Sequence, residues 1–199
     1  VLCSRRPTPS YRTATTTSKP TAAPPTSTWD AYITETASLS PYVPTPPMAA
    51  NILFDNLMQE ESKAYTAHVE LGCGEGNLNA SALSRGLNRT FGYDSDERVL
   101  QIATDRLPEA QFYLCDLTKS PQTVVDKVTE LAEGGENVLL TMYFVSDGLE
   151  KIRESVLEKC LKHADIVTIG YEVPGWEKRG GVVGGNVLGV EWFVYGKIT

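Results

Sequence analysis

Short apolar runs alternate with amphipathic stretches along the chain from about residue 65 onward. Short apolar runs predict strands at residues 67–71, 90–93, 111–115, 138–144 and 165–171. Apolar positions three and four apart predict helices at residues 48–59, 76–87, 96–107, 121–132 and 148–163. Strands that alternate with helices imply right-handed crossovers between parallel strands. We therefore expect an α/β fold with a doubly wound, mostly parallel sheet.

The two ends of the chain depart from this alternation. A glycine-rich stretch at residues 180–185 separates two β-like runs, and the second run covers residues 190–198. This pattern predicts a C-terminal antiparallel hairpin at the sheet edge. Residues 1–40 are rich in Ser, Thr and Pro, which predicts an extended N-terminal arm. The YVPTPP segment at 42–47 is stiff, because each proline fixes its own φ and restricts the residue before it. The chain thus divides into an arm, 1–40, and a domain, 41–199.

Composition narrows the class of protein. The chain has 199 residues, 41% of them hydrophobic, which suffices for one ordinary core and an appendage. Its 18 Lys and Arg against 25 Asp and Glu give a net charge of −7, which argues against nucleic acid as a partner because phosphate neutralisation needs a basic face. No run approaches the roughly 18 apolar residues of a bilayer span, so we expect at most peripheral contact with a membrane. Four cysteines and two histidines lie far apart, which predicts neither a disulfide framework nor a metal site.

The basic residues are unevenly distributed. Residues 1–29 contain Arg5, Arg6, Arg12 and Lys19 and no acidic residue. This composition is typical of a mitochondrial or plastid targeting region, and a disordered linker shares most of it. An arm of about 40 such residues cannot bury enough apolar surface to order itself. We therefore expect residues 1–40 to dock the chain on protein partners in a larger mitochondrial complex.

A glycine-rich loop follows the first predicted strand, with the sequence ELGCGEG at residues 70–76. Its glycines let the backbone turn tightly and approach a ligand before the next helix begins, at the carboxyl ends of the strands where open α/β sheets bind ligands. A dinucleotide and S-adenosylmethionine both fit such a turn. The dinucleotide fingerprint has a glycine where this chain has Asn77, and no basic residue stands nearby for a pyrophosphate. Glu70, inside the strand, favours a cationic sulfonium and ammonium ligand.

Two aspartates end the next two predicted strands. Asp94 stands where a carboxylate can accept hydrogen bonds from both ribose hydroxyls, and Asp116 stands where an acceptor can take the adenine amino group. A single aspartate at a strand end is often only a helix N-cap. Three successive strand ends that each supply the expected group indicate a cofactor site.

The motifs resemble those of a known family. HVELGCGEGNLNASALSRG, FGYDSDE and AQFYLCDL resemble the motifs of class I S-adenosylmethionine-dependent methyltransferases, which have a Rossmann-like sheet. YVPTPP, TMYFV and YEVPGW make the chain similar to the small mitochondrial protein-lysine methyltransferases that modify the ATP synthase c-subunit and the adenine nucleotide translocase, and to their bacterial relatives. The resemblance covers about residues 42–199. It implies S-adenosylmethionine as cofactor, protein lysine as acceptor, and a location in the mitochondrial matrix or at the matrix face of the inner membrane.

The resemblance also implies roles for individual residues. Those on the cofactor side are Tyr42, Thr45, Glu70, Gly72, Cys73, Gly74, Gly76, Asp94 and Asp116. Tyr143, Tyr171 and Trp176 would border the methyl-accepting channel, with Tyr143 and Trp176 as the catalytic residues. Methyl transfer is an in-line displacement that needs alignment and a water-poor channel. Aromatic rings can shield the neutral lysine and hold the methylated cation by cation–π contact.

The substrate side departs from the family pattern. Ser146-Asp147-Gly148 stands where relatives have a proline after the fourth strand, and the connection from Asp116 to Asn137 is longer. An alternative is therefore a catalytically retired or moonlighting accessory subunit of ATP synthase or the mitochondrial ribosome, docked by residues 1–40. An RNA methyltransferase is a third interpretation, which the acidic composition opposes.

Overall fold

The computed structural model describes residues 39–59, 64–179, 182–187 and 189–198. The predicted arm, 1–40, lies outside the described residues except for its last two positions, so its docking role stays a prediction. Within the described ranges, no helix has both the length and the apolar character needed to cross a membrane.

One seven-stranded sheet organises the chain. Its strands are β1 Ala67–Leu71, β2 Arg89–Asp94, β3 Gln111–Leu114, β4 Val138–Met142, β5 Ala164–Ile169, β6 Val182–Val187 and β7 Val190–Tyr195. The spatial order is β3-β2-β1-β4-β5-β7-β6. The first five strands pair in parallel, whereas β7 runs antiparallel to both β5 and β6. The predicted doubly wound sheet and its C-terminal antiparallel pair are confirmed.

Helices connect the parallel strands and cover the sheet. They are α1 Pro47–Leu57, α2 Asn77–Leu83, α3 Glu97–Arg106, α4 Pro121–Glu133, α5 Ser146–Ile152 and α6 Glu158–Cys160. A π-helical turn, Arg153–Leu157, separates α5 from α6, where the sequence predicts one uninterrupted helix. Proline begins α1 and α4, since the first helical position needs no backbone N–H donor.

Residues 182–185 of the glycine-rich stretch belong to strand β6, so the prediction that the stretch as a whole separates two strands is wrong. Gly184 and Gly185 lie within β6, and the hairpin turns after Val187. The indole ring of Trp192 on β7 occupies the space that a side chain at Gly185 would need. Glycine therefore lets a large ring lie flat against the neighbouring strand, beside a register shift between Val183 and Gly185.

Two hydrophobic clusters fill the space on the two faces of the sheet. One joins α1 and α2 to the sheet, with Leu53 and Phe54 beside Leu139. The other joins α4, α5 and α6 to the opposite face, with Val128 and Leu149 beside Leu140. Packing on both faces fixes the strands, so the loops that follow β1, β2, β3 and β4 meet at one edge.

Candidate functional site

The carboxyl ends of the parallel strands border an open cleft, at the place where open α/β sheets bind ligands. Its walls come from the loops after β1, β2, β3 and β4, and from residues 39–45, which we call the strap. Four acidic side chains line the cleft: Glu70, Glu75, Asp94 and Asp96. Among the described lining residues there is no lysine, arginine or histidine.

The glycine loop after β1 has a backbone that other residues adopt only at a cost. Gly74 has φ of 51° and Gly76, which precedes α2, has φ of 77°. A Cβ strains this left-handed region by about 1–2 kcal/mol. At Gly72 the ring of Phe144 occupies the space of a side chain. The N–H groups of Gly72 and Cys73 donate to the Tyr93 carbonyl at 2.7 and 3.1 Å, which joins the loop to the end of β2.

Asp94 is fixed against this loop at the end of β2. Its Oδ2 accepts a hydrogen bond from the Gly74 N–H at 2.9 Å, and its Oδ1 accepts one from the Asp96 N–H at 2.9 Å. Burial raises the pKa of Asp94, although these backbone hydrogen bonds oppose the shift. Asp94, which the sequence predicts to bind the ribose, thus lies on the cleft wall with a fixed orientation.

Glu70 lies deeper, with only 4% of its surface exposed. Its Oε2 accepts from the Asn79 N–H at 3.2 Å. Burial raises the pKa of Glu70 well above its usual range, and the nearby Asp94 adds to the shift. Burial and the same two carboxylates also raise the pKa of the Cys73 thiol. Two partly desolvated carboxylates without a lining cation favour a positively charged ligand.

The strap covers the glycine loop. The Tyr42 ring lies so close to Gly74 that a Cβ there would come within 2.9 Å of Tyr42 Cε2. Ser40 Oγ accepts from the Val145 N–H at 3.2 Å, and the buried Thr45 offers its carbonyl to Asn77 Nδ2 at 3.0 Å. The structure therefore brings most of the predicted cofactor residues into one cleft: Tyr42, Thr45, Glu70, Gly72, Cys73, Gly74 and Asp94.

Asp116, the predicted adenine acceptor, is not among the lining residues, whereas its neighbours Cys115 and Leu117 are. Its Oδ1 accepts from the Thr118 N–H at 3.0 Å and from Thr118 Oγ1 at 2.6 Å, and its Oδ2 pairs with Lys119 Nζ at 2.8 Å. The hydrogen bond from Lys119, with that from Thr118, lowers the pKa of Asp116 to about 2. The carboxylate is thus engaged by the turn that leads to α4.

The three predicted channel aromatics lie in different places. Tyr143 lines the cleft and packs on Gly170, where a Cβ would come within 2.9 Å of its ring. Tyr171 follows β5 and is 44% exposed, outside the cleft wall. Trp176 is 1% exposed in the core, edge-to-face with Tyr195 at 5.0 Å between ring centres. The structure therefore does not bring Trp176 to the cleft, because this large ring fills the core beneath the loop after β5.

Several residues of the cleft carry no predicted role. Phe144 belongs to an apolar run and Leu117 is a single leucine after β3, and nothing local distinguishes either of them from core. Asn77 stands out in the sequence only as the residue that replaces a dinucleotide-binding glycine, yet it contacts the strap. Over the described ranges, no group of His, Cys, Asp and Glu side chains is arranged to hold a metal ion.

Comparison with known proteins identifies the fold. No protein-family model and no curated protein matches the sequence. Among solved structures, an RNA methyltransferase from Salinibacter ruber in complex with S-adenosyl-L-homocysteine is similar with a TM-score of 0.56 at 17% identity, over 78% of this chain and 94% of that one. A putative RNA methyltransferase from Pyrococcus horikoshii has a TM-score of 0.54 at 16% identity, over 81% and 89%. TrmN from Thermus thermophilus also has a TM-score of 0.54 at 16% identity, over 76% of this chain and 49% of that one. The chain has the Rossmann-like fold of these methyltransferases.

Proposed function

We propose that this chain binds S-adenosylmethionine and transfers its methyl group. The observation that carries the proposal is the pair of carboxylates at the glycine loop of a methyltransferase fold, the buried Glu70 and the half-buried Asp94. S-adenosylmethionine presents an ammonium, a sulfonium and a ribose diol. Asp94 would accept from the diol, and Glu70 would face the methionine end. The Salinibacter ruber protein of the same fold was crystallised with the product form of this cofactor.

Electrostatics supports a cationic cofactor. Burial disfavours the charged forms of Glu70 and Asp94, and no lining residue among those described supplies a counter-charge. A ligand that brings positive charge into the cleft favours both carboxylates in their ionised state. A diphosphate would instead place negative charge beside four acidic side chains.

For the methyl acceptor, we propose a protein lysine. Tyr143 lines the cleft and packs on Gly170, and the exposed carboxylates Asp147 and Glu172 lie in the same two segments of the chain, after β4 and after β5. These groups and the net charge of −7 suit a cationic side chain better than RNA. The neutral lysine nitrogen would attack the methyl carbon as the carbon–sulfur bond breaks, which releases S-adenosylhomocysteine and leaves a proton to be lost from nitrogen. Tyr143 would border this nitrogen; Trp176, in the core, would not.

For the cellular setting, we propose mitochondria, at the matrix or the matrix face of the inner membrane. The support is the basic, acid-free composition of residues 1–29, which is typical of a targeting region. An accessory subunit that binds its complex through residues 1–40 is the alternative function, and loss of cofactor binding would favour it.

Calorimetry with S-adenosylhomocysteine tests the cofactor. Asp94→Asn keeps one oxygen acceptor but removes the charge, so the dissociation constant should rise about 10- to 150-fold, the scale of a hydrogen bond to a charged group. Asp126→Asn makes the same change on the exposed face of α4 and should leave binding unchanged. A folded wild-type chain that binds neither S-adenosylhomocysteine nor S-adenosylmethionine would refute the proposal.

Transfer of a radiolabelled methyl group tests the acceptor. The full chain is incubated with labelled S-adenosylmethionine and either mitochondrial protein or mitochondrial RNA. We expect label in protein, recovered as methyl-lysine after hydrolysis, and a slower transfer by Tyr143→Ala at unchanged S-adenosylhomocysteine affinity. Label recovered in RNA would overturn the lysine assignment without affecting the cofactor.

A further inference from the structure

Three hydrogen bonds in series connect the strap to the body of the fold. Asn77 Nδ2 donates to the Thr45 carbonyl at 3.0 Å. Arg106 Nη2, from the end of α3, donates to Asn77 Oδ1 at 3.2 Å. Arg106 Nη1 donates to the Glu75 carbonyl at 2.9 Å. Arg106 thus donates hydrogen bonds both to the glycine loop and to the Asn77 side-chain amide that contacts the strap.

The Arg106 contact determines which end of the Asn77 amide faces the strap. A guanidinium only donates hydrogen bonds, so it orders the amide oxygen toward itself and leaves the NH₂ group for a carbonyl. Thr45 presents such a carbonyl, and its residue is 9% exposed. Both polar ends of the Asn77 side chain are therefore matched.

The strap has one attachment of this kind near each of its ends. Ser40 accepts from the Val145 N–H at the β4 side, and Thr45 accepts from Asn77 at the α2 side. Between them, Tyr42 lies over Gly74 and Pro41 and Pro44 stiffen the backbone. At its far end the strap leads into α1 at Pro47, and the Asn77 hydrogen bond holds the Thr45 carbonyl against the start of α2. Loss of that hydrogen bond would therefore let the strap move away from the cleft more often.

We propose that Asn77, oriented by Arg106, is a positioning residue that holds the strap over the cleft and thereby slows departure of the bound cofactor. The nature of that cofactor rests on the proposed function. The strap contact itself does not, because it is a hydrogen bond between two residues of this chain.

Asn77→Asp removes the contact with Thr45 and keeps the contact with Arg106. The aspartate keeps an acceptor for Arg106 but offers no hydrogen to the Thr45 carbonyl. It also stands at the first position of α2, where a negative charge favours the helix, so folding should be retained. Asn77→Ala breaks the strap contact without adding charge. Asn88→Asp makes the matched chemical change in the exposed turn before β2, at the opposite end of the strands.

Alkylation of the cysteines, followed for each peptide by mass spectrometry, measures opening without a ligand. Cys73 lines the cleft and is 4% exposed, whereas Cys160 is 0% exposed in the core and reports global unfolding. In Asn77→Asp and Asn77→Ala we expect iodoacetamide to modify Cys73 about two- to tenfold faster, the scale of one hydrogen bond, with Cys160 unchanged. Asn88→Asp should match the wild type at both cysteines. Wild-type rates at Cys73 in both Asn77 variants, or an equal acceleration at Cys160, would overturn the proposal.

Stopped-flow kinetics with S-adenosylhomocysteine measures the consequence. The Asn77 variants should release it about two- to tenfold faster than wild type and Asn88→Asp. Unchanged release from variants with faster Cys73 modification would refute control of cofactor departure. If the wild-type chain does not bind S-adenosylhomocysteine, the proposed function fails, and the alkylation rates still decide whether Asn77 holds the strap.

Discussion

Acid should destabilise this fold through His68, in the middle of β1. The ring is 0% exposed, edge-to-face with Phe54 at 5.2 Å between ring centres, and Nε2 shares a hydrogen bond with Thr141 Oγ1 at 2.8 Å. Nδ1 has no hydrogen-bond partner among the described residues. A protonated ring would bury a charge with one donor unsatisfied, and burial lowers the pKa of His68 from 6.5 to about 3.

The sign and size follow from proton linkage. Because the folded pKa is lower than the unfolded pKa, the folded state binds fewer protons between these values. The stability is thus fully present above pH 6.5 and is lost as the pH falls from 6.5 toward 3. Each pH unit in this window costs about 1.4 kcal/mol, so lowering the pH from 7.5 to 5 should cost about 2 kcal/mol through His68 alone.

Urea unfolding at pH 7.5 and pH 5 measures this cost. Glu70 and Asp94, whose pKa values are raised, titrate in an overlapping range with the opposite sign, so the wild-type curve alone mixes the effects. His68→Gln removes only the histidine, and the difference in pH dependence between it and wild type should be about 2 kcal/mol. His163→Gln, in the turn before β5, is the control for loss of a histidine as such. Equal pH dependence in wild type and His68→Gln would refute the reasoning.

Three further predictions concern the cleft and its surroundings. Gly74→Ala should weaken S-adenosylhomocysteine binding at least about fivefold in calorimetry, because a Cβ strains a φ of 51° and contacts Tyr42; wild-type affinity would contradict the loop geometry. Asp116→Asn should change the same affinity by less than about twofold, since Thr118 and Lys119 engage its carboxylate; a larger loss would show that it contacts the adenine. Trp176→Ala should lower the free energy of unfolding by about 3–5 kcal/mol in urea, while Trp176→Phe should still bind S-adenosylhomocysteine; loss of binding by folded Trp176→Phe would place Trp176 in the site.

The sequence predicts best what local physics decides. β1 matches its predicted range, 67–71, because apolar residues at alternate positions lead into a glycine loop, and both signals are local. The glycines near the C-terminus gave a wrong prediction of a turn, because Gly185 lies within β6 and makes room for Trp192 on the neighbouring strand. The placement of Trp176 depends on packing against Tyr195, which is a tertiary contact. Asp116 is engaged locally by Thr118 and Lys119, and an aspartate at a strand end does not show from its position alone whether it holds the turn or a ligand. Asn77 has no local signal because its partners are distant in sequence.

The cleft carboxylates link ligand binding to stability. Their pKa values are raised in the fold, so their contribution to stability is greatest at low pH and is lost as the pH rises through the folded pKa values. At neutral pH, Glu70 and Asp94 therefore weaken the fold at the place where it would hold a cation. The backbone hydrogen bonds that Glu70 accepts from Asn79, and Asp94 from Gly74 and Asp96, compensate only part of this cost. A bound sulfonium and ammonium would offset it, and the cofactor would then stabilise the fold most at the pH where both acids are ionised.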